Sequence, residues 1–157
     1  MTPRVAFIGA GQMARHHVEA VRRLPVPSVL VGVYDPALRQ AEAFAAANGT
    51  RAFPSLEAML GSRPDIVHVC TPPAFHFQSA HAALEASAHV YVEKPFALSA
   101  RDARTLLALA TARGRLVCAG GHFDRQEAVG EQSLDGQGYS VNCAGAVADS
   151  IVRQWRR

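Results

Sequence analysis

The sequence predicts an α/β fold, a doubly wound parallel sheet with crossover helices on both faces. Three observations carry this reading. Short apolar, β-rich runs alternate with helical patterns from the start of the 157-residue chain. The first run, Val5-Ala6-Phe7-Ile8, breaks into Gly9-Ala10-Gly11-Gln12-Met13-Ala14 and continues as a helix. The unusual residues further along cluster where the later apolar runs end.

Strand one covers about Arg4 to Ile8, and the first helix about Gln12 to Leu24, where Pro25 and Pro27 stop it. Strand two, Val29 to Tyr34, is a nearly continuous apolar run ending at Asp35-Pro36. Leu38, Ala41 and Ala45 then mark a helix closed by Asn48-Gly49. A short third strand is expected near Arg51-Ala52-Phe53, before a small helix from Ser55 to Leu60. Strand four is Ile66 to Cys70, and Thr71-Pro72-Pro73 forbids its continuation. Phe77, Ala80 and Leu84 form the core stripe of the next helix. Strand five, His89 to Val92, runs into Glu93-Lys94-Pro95. Ser99 and Asp102 resemble a capping box for a helix that turns Ala103, Leu106, Leu107 and Ala110 inward and ends at Gly114. Strand six is Leu116 to Cys118, followed by Gly120-Gly121-His122. The layout is six strands and five helices.

Parallel strands in such a sheet all end on one edge, and ligands bind in the crevice beyond it. The glycine turn reads as the phosphate-binding turn of a Rossmann fold. Gly9 permits the sharp turn, Gly11 leaves room for a pyrophosphate, small Ala14 lets helix and strand pack closely, and the helix start at Gln12 and Met13 offers free amides. Asp35 lies 24 residues beyond Gly11, where an acid accepts hydrogen bonds from the adenosine ribose of NAD. Asp-Pro is equally a good start for the second helix, so a capping role for Asp35 stands beside the ribose role. The carboxylate would repel a 2′-phosphate and favours NAD, while Arg39 one turn later keeps NADP open. Thr71, Pro72 and His76 follow strand four toward the same cleft. A histidine there can approach the nicotinamide or its ribose, or simply pack its helix.

Lys94 is the candidate for chemistry. The chain holds 15 Arg and this single Lys, and a compact ammonium beside a substrate hydroxyl can stabilise developing alkoxide or share a proton. Glu93 belongs to the same strand end, counts with Thr71, Pro72 and His76 among the candidate cofactor-binding residues, and is expected to turn the other way from Lys94 and help hold the loop. The Lys94-Pro95 bond is expected to be cis, fixing the direction of the ammonium.

Composition narrows the class. At 49% hydrophobic and 18% charged residues, with no apolar run near the ~18 residues a membrane span needs, the chain reads as one globular, cytoplasmic domain without a signal peptide. A net charge of +3 spread along the sequence gives no nucleic-acid footprint. Cys70, Cys118 and Cys143 are widely spaced and read as reduced thiols, the first two as small hydrophobes in buried strands. The seven histidines have poor ligand spacing: His16 and His17 point to different helix faces, and no metal is expected.

The glycine turn, Thr71-Pro72-Pro73 with His76, and Glu93-Lys94-Pro95-Phe96-Ala97-Leu98 together resemble the N-terminal domain of the Gfo/Idh/MocA oxidoreductases over about residues 4 to 120. The resemblance implies a Rossmann domain binding NAD or NADP. It also implies hydride transfer to or from a sugar, cyclitol or related polyol, with Lys94 contacting substrate near the nicotinamide. Members of that family continue into a larger α/β domain that supplies the substrate pocket, commonly a catalytic histidine, and the oligomer interface. Here 37 residues follow Gly120. His122-Phe123 still matches, whereas Gln126 to Ser140 is polar and unpatterned, and Ala144, Val147, Ala148, Ile151, Val152 and Trp155 make a helical stripe.

The expected organisation is therefore a Rossmann domain at 1–121 and an atypical tail at 122–157 with an amphipathic helix at 144–156, the substrate-binding α/β domain missing. Either the tail follows a truncation or frameshift near residue 122, or it closes a stand-alone module. The expectation for the chain alone is binding of a nicotinamide dinucleotide with little turnover. Polyol substrate enters only when a second domain is supplied. The alternative is a non-catalytic NAD(H)-binding module, either regulatory or a subunit that pairs with a full-length relative through its exposed sheet edge and C-terminal helix; a homo-oligomer stays open for either reading.

Overall fold

The computed structural model describes residues 2–120. The tail expected from residue 122 onward, with its helix at 144–156, and Cys143 and His122 lie outside the described residues.

Five strands, β1 (Arg4–Ile8), β2 (Val29–Tyr34), β3 (Ile66–Val69), β4 (His89–Val92) and β5 (Val117–Ala119), form one sheet in the order β2-β1-β3-β4-β5. Every pairing is parallel. The helices are α1 (Gln12–Arg23), α2 (Leu38–Asn48), α3 (Leu56–Gly61), α4 (His76–Glu85) and α5 (Ala100–Arg113), with a 3₁₀ turn at Pro73–Phe75 leading into α4.

The central strands are largely apolar, with His68 of β3 and His89 of β4 as exceptions, because they are covered on both faces, and alternate residues feed two separate cores. On one face Val5, Phe7 and Val33 pack with Ala14, Val18 and Val21 of α1 and Ala41, Phe44 and Ala45 of α2. On the other, Ala6, Ile8, Val67, Val69, Val90 and Val92 pack with Met59 of α3, Ala80, Ala83 and Leu84 of α4, and Leu106 and Ala110 of α5. The chain is thus doubly wound. Its order reverses at β1, so the carboxyl ends of β1 and β3 flank the crevice that binds ligands in such sheets.

Local signals explain the boundaries. Ser55 and Ser99 cap α3 and α5, accepting the N–H groups of Ala58 at 3.1 Å and Asp102 at 3.0 Å. Gly49 and Gly114 end α2 and α5 in the left-handed conformation. Three expectations are corrected. The strand expected at Arg51-Ala52-Phe53 is a single parallel bridge between Val33 and Ala52, too short to extend the ladder. Strand six starts one residue late, as β5. Leu107 is 40% exposed, because it is turned ~100° from Leu106 around the helix, and Leu109 takes a partly buried place instead.

Between Val5 and Ala6 the register against β2 slips by one: Val5 pairs with Leu30, but Ala6 pairs with Gly32. Gly32 also tolerates a contact no other residue could, since a Cβ there would lie 2.3 Å from the Phe53 ring.

Candidate functional site

The glycine turn is built as a close crossing. Gly9 adopts φ +94°, and a Cβ on it would fall 2.7 Å from the Cys70 carbonyl oxygen at the end of β3. Only glycine meets both demands. Gly11 makes the opposite statement: a Cβ there would touch nothing within 4 Å. It is the N-cap of α1, with no side-chain cap, so the first amides of that helix, at Gln12 and Met13, look out over open space. Ala14 is fully buried and brings α1 close to the strand.

Asp35 ties this turn to the end of β2. One carboxylate oxygen accepts the Ala10 N–H and the other the Ala37 N–H, each at 2.8 Å. The residue capping α2 is Ala37, so Asp35 is not the helix cap that its Asp-Pro pair suggested. It braces the turn while remaining only half-buried.

Thr71 and Pro72 lead from β3 over the same edge. The Thr71 hydroxyl is buried and has no hydrogen-bond partner. A buried hydroxyl left unpaired costs free energy unless a ligand supplies the bond. His76 does not enter the cleft. Its ring is 1% exposed, with Nδ1 2.7 Å from the Pro95 carbonyl and Nε2 2.8 Å from the Thr71 carbonyl. The ring thus straps the loops after β3 and β4 together.

Lys94 is exposed at the end of β4, and its peptide bond to Pro95 is cis. Glu93 turns away from it, as expected. The carboxylate meets His17 Nε2 at 2.7 Å and accepts the Lys94 N–H at 3.1 Å, so both oxygens are engaged by the protein.

Two groupings have no counterpart in the sequence pattern. A cleft of about 740 Å³ opens beside the glycine turn, lined by Arg15, His16 and Glu19 of α1 and Arg39 and Gln40 of α2 among others. The second is a partly buried polar row under α1. His17 Nδ1 lies 3.0 Å from His68 Nδ1 and 3.6 Å from Cys70 Sγ. Burial, and secondarily the nearby His17, pushes His68 down to about 3, so it stays neutral. Burial, with the Glu93 carboxylate adding to it, pushes the Cys70 thiol well up. Cys70 is thus a bonded polar group as well as a small hydrophobe. Sequence spacing shows only that His16 and His17 diverge, which they do. Among the described residues no group of three His, Cys, Asp or Glu side chains could hold a metal ion.

The model of the oxidoreductase family with an NAD-binding Rossmann fold, Gfo/Idh/MocA, matches residues 3–121. The chain belongs to the Gfo/Idh/MocA family. Among curated relatives, this Gfo/Idh/MocA chain is 38% identical over 122 residues to the UDP-N-acetylglucosamine 3-dehydrogenase of Acidithiobacillus ferrooxidans, an alignment covering 78% of this chain and 37% of the relative. It is 38% identical over 116 residues to the D-glucoside 3-dehydrogenase of Escherichia coli K12, covering 73% and 33%. Among solved structures, GenD2 from gentamicin A biosynthesis in complex with NAD superposes with a TM-score of 0.73 at 34% identity, covering 78% of this chain and 35% of that one. Biliverdin reductase from Synechocystis sp. PCC 6803, in complex with biliverdin and NADP+, gives 0.68 at 31% identity, covering 74% and 37%. The chain spans about a third of the length of the curated relatives it matches. The Gfo/Idh/MocA domain is an NAD-binding oxidoreductase domain, and no helix among its described residues is long and apolar enough to cross a membrane.

The residues present fit a dinucleotide. Gly9 and Gly11 shape a turn with room in front of it, α1 presents uncapped amides where a pyrophosphate would sit, and the orphaned Thr71 hydroxyl supplies a donor at the same edge.

Proposed function

We propose that this Gfo/Idh/MocA domain binds NAD(H) along the edge from β2 to β4 and presents Lys94 to a sugar, cyclitol or related polyol undergoing oxidation or reduction. The observation that carries the reading is the convergence of the glycine turn, the unpaired Thr71 hydroxyl and Lys94 on one edge of the sheet. A nicotinamide bound there supplies the hydride acceptor or donor. The α1 amides at Gln12 and Met13 hold negative charge, while Asp35, braced against Ala10, faces ribose hydroxyls with its remaining lone pairs. Pro72 shapes the wall after Thr71, and His76 and Glu93 hold the loops from below. In oxidation Lys94 as the amine would take the hydroxyl proton while the C–H hydride is lost and the carbonyl forms, and in reduction the ammonium would return that proton to the alkoxide formed as hydride adds to the carbonyl.

Hydride transfer requires the reacting atoms within ~3–3.5 Å, a placement that needs walls on both sides of the substrate. The relatives are about three times as long as the matched segment. Calorimetric titration with NADH tests the cofactor reading, and absence of saturable heat refutes it. The same titration with NADPH, repeated on Asp35→Ala, tests the preference for NAD. Loss of the carboxylate should weaken NADH about tenfold and narrow its advantage over NADPH, and an unchanged ratio removes Asp35 from cofactor choice.

A further inference from the structure

We propose that His17 is a positioning residue for Lys94: it keeps the Glu93 carboxylate turned toward α1, so that Glu93 binds the Lys94 backbone and leaves the ammonium free for substrate. The inference rests on the reading of Lys94 as the substrate-facing group.

The geometry is a chain of contacts from the pyrophosphate-binding helix to the lysine loop. Glu93 Oε1 sits 2.7 Å from His17 Nε2, and Glu93 Oε2 accepts the Lys94 N–H at 3.1 Å. A carboxylate only accepts, so His17 Nε2 carries the hydrogen. The two side chains are 11% and 12% exposed, which shields the contact from water and strengthens it. From the far side the end of β5 crowds the carboxylate, since a Cβ on Gly120 would lie 2.9 Å from Glu93 Oε1.

The His17 ring is itself fixed. It stands edge-on to Tyr91 at 5.1 Å and to His68 at 5.2 Å, with Nδ1 held between His68 and Cys70. His68 in turn stacks between Phe7 at 4.9 Å and Tyr91 at 5.2 Å. His68 neutral and Cys70 protonated leave no second anion to compete with Glu93 for the His17 hydrogen. With Glu93 so occupied, no ion pair to the Lys94 ammonium forms among the described residues. Released from His17, the carboxylate has a cation within reach on the next residue, and the ammonium becomes engaged.

Because Lys94 is the sole lysine of the chain, its amine can be read directly by the rate of acylation with an amine-reactive ester, followed by peptide mass mapping. His17→Leu should slow labelling about threefold, the size of a partly exposed ion pair. His17→Gln, whose amide reaches the place of Nε2, should restore the parent rate. Adding Glu93→Gln to His17→Leu should also restore it, since the competing carboxylate is gone. Should His17→Leu lack the helical circular dichroism of the parent, His17→Asn takes its place with the same expected slowing. Unchanged labelling in the variant overturns the proposal. Equal slowing in His17→Gln and in the double variant also overturns it, because His17 would then act by packing alone. Titration of the unsubstituted chain with NADH separately decides the cofactor reading, which the labelling rates do not enter.

Discussion

Lowering the pH from 7 to 5 should destabilise this domain by about 2 kcal/mol through His68 alone. The ring is stacked between Phe7 and Tyr91, and burial with the adjacent His17 holds it at about 3, against ~6.5 for an unfolded histidine. The folded value is depressed, so the unfolded chain binds the proton first. Stability is complete above ~6.5 and is lost progressively as pH falls from there toward 3. At pH 5 the unfolded ring is almost fully protonated and the folded ring almost fully neutral, and ~1.4 kcal/mol per pH step over about one and a half steps gives the figure. With a urea slope of ~1.5 kcal/mol/M, the unfolding midpoint should move down by roughly 1.3 M. His89, also buried and shifted down, adds in the same direction. The decisive comparison is the pH dependence of His68→Phe, which keeps an aromatic ring in the stack. Its midpoint should fall markedly less between pH 7 and 5 than that of the parent, whatever the two absolute stabilities. If His68→Phe shows the full pH dependence, His68 is not the neutral buried group described here.

Gly9→Ala should cost ~2–4 kcal/mol in urea unfolding, because positive φ and the clash with the Cys70 carbonyl add. Gly11→Ala, with nothing near its Cβ, should stay within ~1 kcal/mol of the parent yet lose tenfold or more in NADH affinity by fluorescence titration; equal stability losses for the two would refute their separate roles. Thr71→Val removes a hydroxyl that no protein group satisfies, so thermal stability should hold or rise while NADH affinity falls ~5-fold. A destabilised Thr71→Val with unchanged affinity would place that hydroxyl in the scaffold.

Much of the fold is legible in the amino-acid sequence because its signals are local. The run Val5 to Ile8, the double proline after Thr71 and the glycines at 49 and 114 each dictate backbone geometry without reference to distant residues, and the elements follow. What depends on partners across the fold is not legible there. Arg51-Ala52-Phe53 has strand character, but pairing takes hold only at the Val33 bridge. The Asp35 spacing locates the acid correctly at the turn, yet does not reveal that its oxygens brace Ala10 and Ala37. His76 belongs to the expected loop, and only the loop after β4 shows why its ring turns inward. The row of His17, His68 and Glu93 draws on one helix and two strands, and no periodicity in one segment encodes it.

The slipped register beside Gly32 bears on how acids like Asp35 are counted. The extra residue in β2 lets Tyr34 pair with Ile8, so that Asp35 emerges level with Gly9 and reaches the Ala10 amide. The interval between turn and acid is therefore no ruler. It is a sum of helix length, connecting loop and strand slack, and a relative with an ordinary ladder would reach the same point with one residue fewer.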